Sequence, residues 1–370
     1  MLKMVAVTKR FIALIFRKVC CSKFFVIFVL CLLYISIYVL PSLPNHNRAK
    51  IPTDPNDIIK YNQDKIVHYP INVSYNLFLL ILVSSSPHDE RHREKREAIR
   101  KTWGRCKHLH TLYKESKYIP KNITCKLVFF MGTTRNPTRV SDEAKKFQDI
   151  ILVDYIDTYD LITRKLLATF KWSMKYKPKF ILKADDDVYV HLPRLIMKLQ
   201  HVDAQNYYGG WVYKTSVPRD HNHRHYVSYK TFSEPTFPSF CVGAMYVFSG
   251  NLLSPLLQTV DVWAPFGVDD AYVGVLMRHI SVTPSRILGF LKVELKIFLY
   301  EISDCALSLL IGYGDGLSGQ QIVHIHRRIK SLEQQKSICM QVNASTFYGL
   351  CCVCCLILYA FRTKIYSTSV

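Results

Sequence analysis

The stretch Phe180-Ile-Leu-Lys-Ala-Asp-Asp-Asp-Val-Tyr-Val-His191 constrains this 370-residue chain more than any other. Phe180 to Leu182 is a short apolar run bounded by Pro178 on one side and acids on the other, which predicts a buried strand. Asp185, Asp186 and Asp187 follow at its end. Three adjacent carboxylates repel one another unless something positive sits among them. The carboxyl end of a strand is where open α/β sheets bind ligands. Hard divalent cations take oxygen ligands, and one held by one or two carboxylates keeps positions free for substrate phosphates. The triplet therefore reads as a Mg²⁺ or Mn²⁺ site for a nucleotide diphosphate. The alternative is a solvated acidic turn.

The flanking elements bear on that choice. Near-continuous apolar runs at 76–84, 126–131 and 150–153 predict strands buried on both faces. Segments 96–104, 141–148 and 161–176 predict helices, the second capped by Ser141. In the first helix Ile99 and Trp103 lie four apart, with Arg96 and Arg100 beside them. That face is either basic and turned to phosphates, or a solvated surface. Strand and helix alternating, with acids at the last tip, is the pattern of a nucleotide-binding α/β domain. Further on, 237–247 predicts another strand, and Asp269-Asp270 opens a helix-like apolar run. Those acids are either a buried acid beside a reacting group or a helix cap at Asp269. His221, His223 and His225 alternate in a polar loop that lacks finger spacing, which favours a loop over a metal site.

Phe24 to Leu40 is uncharged and mostly apolar, and Lys3, Lys9, Arg10, Arg17, Lys18 and Lys23 precede it. The positive-inside rule then puts 1–23 in the cytosol and the remainder in the lumen. The run ends at Tyr38-Val-Leu-Pro41, which suits cleavage of a signal peptide poorly. The expected organisation is a cytosolic tail 1–23, a transmembrane signal-anchor 24–40, a stem 41–75, a globular domain 76–330 and a tail 331–370. Three glycosylation sequons begin at Asn72, Asn122 and Asn343. In an oxidising lumen Cys106, Cys125, Cys241, Cys305 and Cys339 are disulfide candidates with no assignable pairing. The apolar segment 347–361, with Cys351, Cys352, Cys354 and Cys355, reads as a second membrane segment, a lipid-contacting element or an unusual transcript end. The net charge of +21 is scattered and no nucleic-acid motif accompanies it, so nucleic acid is not an expected partner.

The set REAIRKTWG, FFMGTT, DYIDTYDLITRK, FILKADDDVYVH, YYGG, PRD then YVS, FPSFCVGAMYV and VDDAYVG, in that order, resembles the Golgi β-1,3-galactosyltransferase and β-1,3-N-acetylglucosaminyltransferase family, to which Fringe is related. The resemblance covers roughly 76–280. It implies an α/β glycosyltransferase-A fold, Rossmann-like and nucleotide-binding, behind an N-terminal transmembrane helix in a single-pass type II Golgi membrane protein. It also implies a UDP-sugar donor, Mn²⁺, and a glycan acceptor on glycoprotein or glycolipid. The family's metal motif falls on Asp185 and Asp187, with Asp186 beside Asp185 on the donor side. Its catalytic base falls on Asp270, and Arg96, Arg100 and Trp103 match an element near the nucleotide. A third metal ligand is expected from His324 or His326, which would share a face if they lay on a strand. Ala244 and Met245 depart from the family's Gly-Gly and are expected to narrow the acceptor side. Ala271 replaces the usual Val. The expected activity is inverting β-1,3 transfer of galactose or N-acetylglucosamine. The competing reading is a catalytically inactive Golgi glycan-binding or chaperone-like protein on the same fold.

Overall fold

Leu79 to Ser84 is buried at every position, as a strand covered on both faces must be. Alternation sorts its side chains: Leu79, Ile81 and Val83 join one core, and Leu80 and Leu82 join another. The same division runs through Phe180 to Ala184, with Phe180, Leu182 and Ala184 on the first face and Ile181 on the second. The chain is thus a mixed α/β structure with helices on both faces of a central sheet. This computed structural model describes residues 65–70, 75–106, 123–135, 138–291 and 303–334. The 24–40 run, Asn72, Asn122, Asn343, Cys339 and the 347–361 segment lie outside the described residues, as does the side chain of Cys305. Among the described residues no helix is long and apolar enough to cross a membrane.

In chain order the elements are β1 (Ile66–His68), β2 (Leu79–Ser84), α1 (Glu90–Lys101), β3 (Cys125–Thr133), α2 (Thr138–Phe147), β4 (Ile150–Ile156), α3 (Ile162–Ser173), β5 (Phe180–Asp185), β6 (Tyr189–Val190) and α4 (Leu192–Gln200). There follow β7 (Tyr208–Tyr213), β8 (Phe240–Ser249), α5 (Leu253–Gln258), α6 (Asp269–His279), β9 (Ser285–Arg286), β10 (Phe290–Leu291), α7 (Asp304–Leu309), β11 (Gly312–Tyr313) and α8 (Gly319–Gln334). The main sheet has the order β1-β4-β3-β2-β5-β8-β7-β9. Strands β4, β3, β2 and β5 are mutually parallel, so their carboxyl ends share one rim. β8 returns antiparallel to β5, with Ala184 opposite Met245. A small sheet of β10, β11 and β6 sits just past the triplet. Helices α1, α4 and α8 cover the first face, and α3, α5 and α6 the second.

Within the stretch expected to be a stem, Ile66–His68 pairs antiparallel with β4. Three expectations change. Helix α2 starts at Thr138, so Ser141 lies inside it rather than capping it. Met245 is buried in the first core, where its sulfur leaves room only for a glycine at 312, so it does not narrow an acceptor side. Cys241 is a buried free thiol, not a disulfide partner. Cys106 and Cys125 are joined, with their Cα atoms 5.4 Å apart.

That bridge ties the end of the α1 segment to the start of β3 across a separation of 19 residues. Closing such a loop removes freedom from the unfolded chain. Cys125→Ser should therefore lower the unfolding free energy by about 2–4 kcal/mol in denaturant titrations under oxidising conditions. Added reductant should bring the parent protein down to the variant's level and leave the variant unchanged.

Candidate active site

Several of the chain's acids gather near the rim formed by β2, β3, β4 and β5, and buried cations hold them there. Lys183 is the fourth residue of β5 and faces the second core, where it is almost wholly buried. Its ammonium donates to Asp185 Oδ1 at 2.8 Å and to the Gly243 carbonyl at 2.6 Å. Asp269 Oδ2 lies 3.3 Å from it, close enough to pair but without hydrogen-bond alignment. Burial alone would lower the Lys183 pKa, yet Asp185 and Asp269 raise it well above the ordinary value. One side chain therefore joins the triplet to the second acidic motif.

Gly243 completes that joint. Its carbonyl accepts from Lys183, and its N–H donates to Asp270 Oδ2 at 2.8 Å. Helix α6 starts at Asp269 with Val268 as its cap residue, so neither acid is the cap. Asp270 Oδ1 accepts from the Ala271 N–H at 2.8 Å. Each carboxylate oxygen keeps a lone pair for a further donor. Burial first, and then the charge of Asp269, push the Asp270 pKa up to about 6. The two backbone N–H groups and Lys183 keep it from rising further.

The three acids of the triplet have different surroundings. Asp186 turns inward, 3% exposed, and accepts from Ser85 Oγ at 2.6 Å. His92 Nδ1 lies 2.6 Å from the same carboxylate and Lys95 Nζ 3.3 Å. Burial would raise its pKa, but His92, Lys95 and Ser85 hold it below the usual value. Asp186 is thus bound to its own fold rather than offered to a donor. Asp185 and Asp187 stay partly open, with side chains 35% and 24% exposed. Crowding by protein, with Asp187 and Asp269 nearby, pushes Asp185 up to about 8 despite Lys183. Burial, Asp186 and Asp315 likewise raise Asp187, against Lys95. Two part-exposed carboxyl side chains at a rim offer the oxygen ligands that a hard divalent cation takes. Among the described residues no three His, Cys, Asp or Glu side chains form a ready cage. A cation held by two carboxylates would take its remaining ligands from water and phosphate.

The expected basic face on α1 is displaced by one turn. Arg96 is buried and paired with Glu143, Nε to Oε1 at 2.9 Å and Nη2 to Oε2 at 2.6 Å. Its remaining donor meets Ser85 Oγ and the Ser86 carbonyl. Arg100 pairs with Asp149 through two bonds of 2.8 Å and with Glu143 at 2.7 Å, its guanidinium lying over the Phe129 and Phe147 rings. Carboxylates on α2 and just after it thus occupy both arginines, which fasten helix to sheet. Trp103 donates from Nε1 to the Val188 carbonyl at 3.1 Å and fixes the backbone that leaves the triplet. The residues of α1 that do reach the acids are His92 and Lys95. Their three-residue spacing, one turn before Ile99, places them on the face that carries Arg96 and Trp103.

His324 and His326 lie on helix α8, not on a strand. Positions two apart on a helix point in nearly opposite directions, so the rings do not share a face. His324 is exposed, and His326 Nδ1 sits 3.0 Å from the Tyr189 hydroxyl. Burial and the neighbouring Lys330 push His326 down to about 4. Sequence reasoning also missed Asp157 and Lys165, a buried pair at the tip of β4. There Lys165 Nζ meets Asp157 at 3.1 Å and the Ser85 carbonyl at 3.0 Å. The only signal for that pair was an acid in the run DYIDTYDLITRK with a lysine eight residues later.

Several known proteins are similar. A family model described as Galactosyltransferase matches residues 94–287. Lactosylceramide 1,3-N-acetyl-beta-D-glucosaminyltransferase B of Danio rerio is 32% identical over 247 residues, which is 63% of this chain and 62% of that protein. This chain therefore spans less than two thirds of that relative's length. Beta-1,3-galactosyltransferase 1 of Mus musculus is 28% identical over 254 residues, covering 66% of this chain and 73% of that one. Among solved structures, the mannosyltransferase PcManGT from Pyrobaculum calidifontis with GDP-Man and Mn²⁺ is 12% identical. It has a TM-score of 0.33 and covers 83% of this chain and 88% of its own.

The ion pairs of Arg96 yield a prediction that separates a fastener from a phosphate ligand. Removing one partner of a buried pair costs about 3–5 kcal/mol because the other charge stays buried. Arg96→Met should lose that much stability in denaturant melts, while UDP affinity of the folded protein stays within about twofold. A large fall in UDP affinity at unchanged stability would restore the nucleotide role.

Proposed function

Since this chain belongs to the galactosyltransferase family, we propose that it is an inverting hexosyltransferase, moving galactose or N-acetylglucosamine from a UDP-sugar to a glycan hydroxyl in β-1,3 linkage. The observation that carries this reading is the joint at Lys183 and Gly243, which brings the part-exposed Asp185 and the oriented Asp270 to one rim. The fold expected for such an enzyme is glycosyltransferase-A. The parallel order β4-β3-β2-β5 with antiparallel β8 beside it supports that assignment. The acceptor would be a glycan on glycoprotein or glycolipid. The anchor at 24–40, and with it a Golgi membrane location, rests on the sequence pattern alone.

The chemistry follows from the placement of charge. A UDP-sugar carries its phosphate in the α configuration, so a β-linked product requires one displacement with inversion. Asp270 would take the proton of the acceptor hydroxyl as that oxygen attacks the anomeric carbon. Its carboxylate is already oriented by the Gly243 and Ala271 N–H groups. A positioned base of this kind contributes about 10²–10⁴-fold in rate. Asp185 and Asp187 would hold a divalent cation, which as a Lewis acid neutralises the departing diphosphate. Lys183 keeps Asp185 and the Asp269-Asp270 pair in register but, being buried, touches neither substrate.

Two measurements test the assignment. Asp270→Asn should keep Mn²⁺-dependent UDP binding and lose transfer by about 10²–10⁴-fold, whereas Asp187→Ala should lose that binding itself. Transfer at the parent rate by Asp270→Asn would remove it as the base.

The raised pKa of Asp270 sets a pH dependence. The base works ionised, so kcat/KM should be level above about pH 6 and fall about tenfold per pH unit below it. A profile flat down to pH 4.5 would mean that another group takes the proton.

A further inference from the structure

Lys95 lies in an unusual place for a surface-helix lysine. It is on α1, its side chain is only 16% exposed, and its ammonium reaches the second and third members of the triplet. Nζ is 3.3 Å from Asp186 Oδ1 and 3.7 Å from Asp187 Oδ2. Asp186 does not depend on it, because Ser85 Oγ and His92 Nδ1 each approach its other oxygen at 2.6 Å. Asp187 is different. Its carboxylate faces the like charges of Asp185, Asp186 and Asp315, and Lys95 is the cation that forms an ion pair with it. The ammonium therefore sits against the carboxylate that a divalent cation would use.

We infer that Lys95 is an exchangeable counter-ion that makes binding of the divalent cation and of the donor diphosphate depend on one another. The inference rests on the metal-dependent reading above and concerns how that site fills. A dication on Asp187 beside an ammonium on the same carboxylate meets like-charge repulsion, so the cation alone binds weakly. A diphosphate brings the missing negative charge. The ammonium can then leave Asp187, keep its contact with Asp186 and turn its N–H groups to phosphate oxygens. Cation and diphosphate are held together more firmly than either alone, and by linkage each raises the other's affinity by the same factor. Neutral replacement at 95 removes both halves of the effect. Arg96 and Arg100 cannot substitute, since Glu143 and Asp149 hold them.

The test uses binding rather than turnover. Mn²⁺ affinity is measured by the electron paramagnetic resonance signal of free Mn²⁺, with and without saturating UDP. The proteins are the parent, Lys95→Met and Lys95→Arg. In Lys95→Met, Mn²⁺ alone should bind about tenfold tighter, because one unit of opposing charge a few ångströms away is gone. The factor by which UDP improves Mn²⁺ binding should shrink by at least as much. Lys95→Arg keeps the charge and should stay close to the parent in both. Unchanged or weaker Mn²⁺ binding by a folded Lys95→Met, with the parent binding Mn²⁺ and UDP normally, would overturn the role of Lys95 and leave the proposed function standing. Failure of the parent to bind Mn²⁺ or UDP would overturn the proposed function and this inference with it.

Discussion

Taking an ammonium out of water costs several kcal/mol unless acids and carbonyls meet it, and Lys183 is shielded from water almost completely. Once β5 pairs with β2 and β8, its backbone carries that side chain into the second core. Asp185, the Gly243 carbonyl and Asp269 must then come to it. They belong to three separate stretches of chain, so the burial of one charge brings together the end of β5, the start of β8 and the start of α6. Asp270 inherits its place from this arrangement through the N–H of Gly243.

The same device recurs around the rim. Arg96 fastens α1 to Glu143 and to the serines after β2. Lys165 fastens α3 to Asp157 after β4 and to the Ser85 carbonyl. Three buried cations thus stabilise the loops at the carboxyl ends of β2, β4 and β5. Much of the positive charge near the site is spent on structure. Lys95 and His92 differ, both part-exposed and both turned to the triplet.

Legibility in the sequence followed how local each determinant is. The strand at 180–185 and the apolar runs before it were readable because burial on both faces leaves an unbroken apolar string. The place of the acids at its tip was readable because the apolar run stops there, although three acids in a row fit a solvated turn as well. The ion pairs of Arg96 and Arg100 were not readable because their partners, Glu143 and Asp149, lie more than forty residues away, and no local pattern announces such a pair. His324 and His326 were misread because His-Ile-His alternates like a strand, whereas Ile322, Ile325 and Ile329 carry the helical period that α8 follows. The short strand at Ile66–His68 is stabilised by pairing with β4 rather than by its own composition.

The inward turn of Asp186 divides the triplet in a way its spelling conceals. A carboxylate bound to Ser85, His92 and Lys95 answers to the stability of the fold, as Asp185 does in part through Lys183, while Asp187 faces the rim. Inherited variants at these three adjacent codons would accordingly fall into two kinds. Loss at 186 would show itself as heat sensitivity, with function recoverable in the cool. Loss at 187 would, on the proposed function, leave a sound protein that is idle at every temperature, and loss at 185 would join the first kind as well, since it strands the buried Lys183 ammonium.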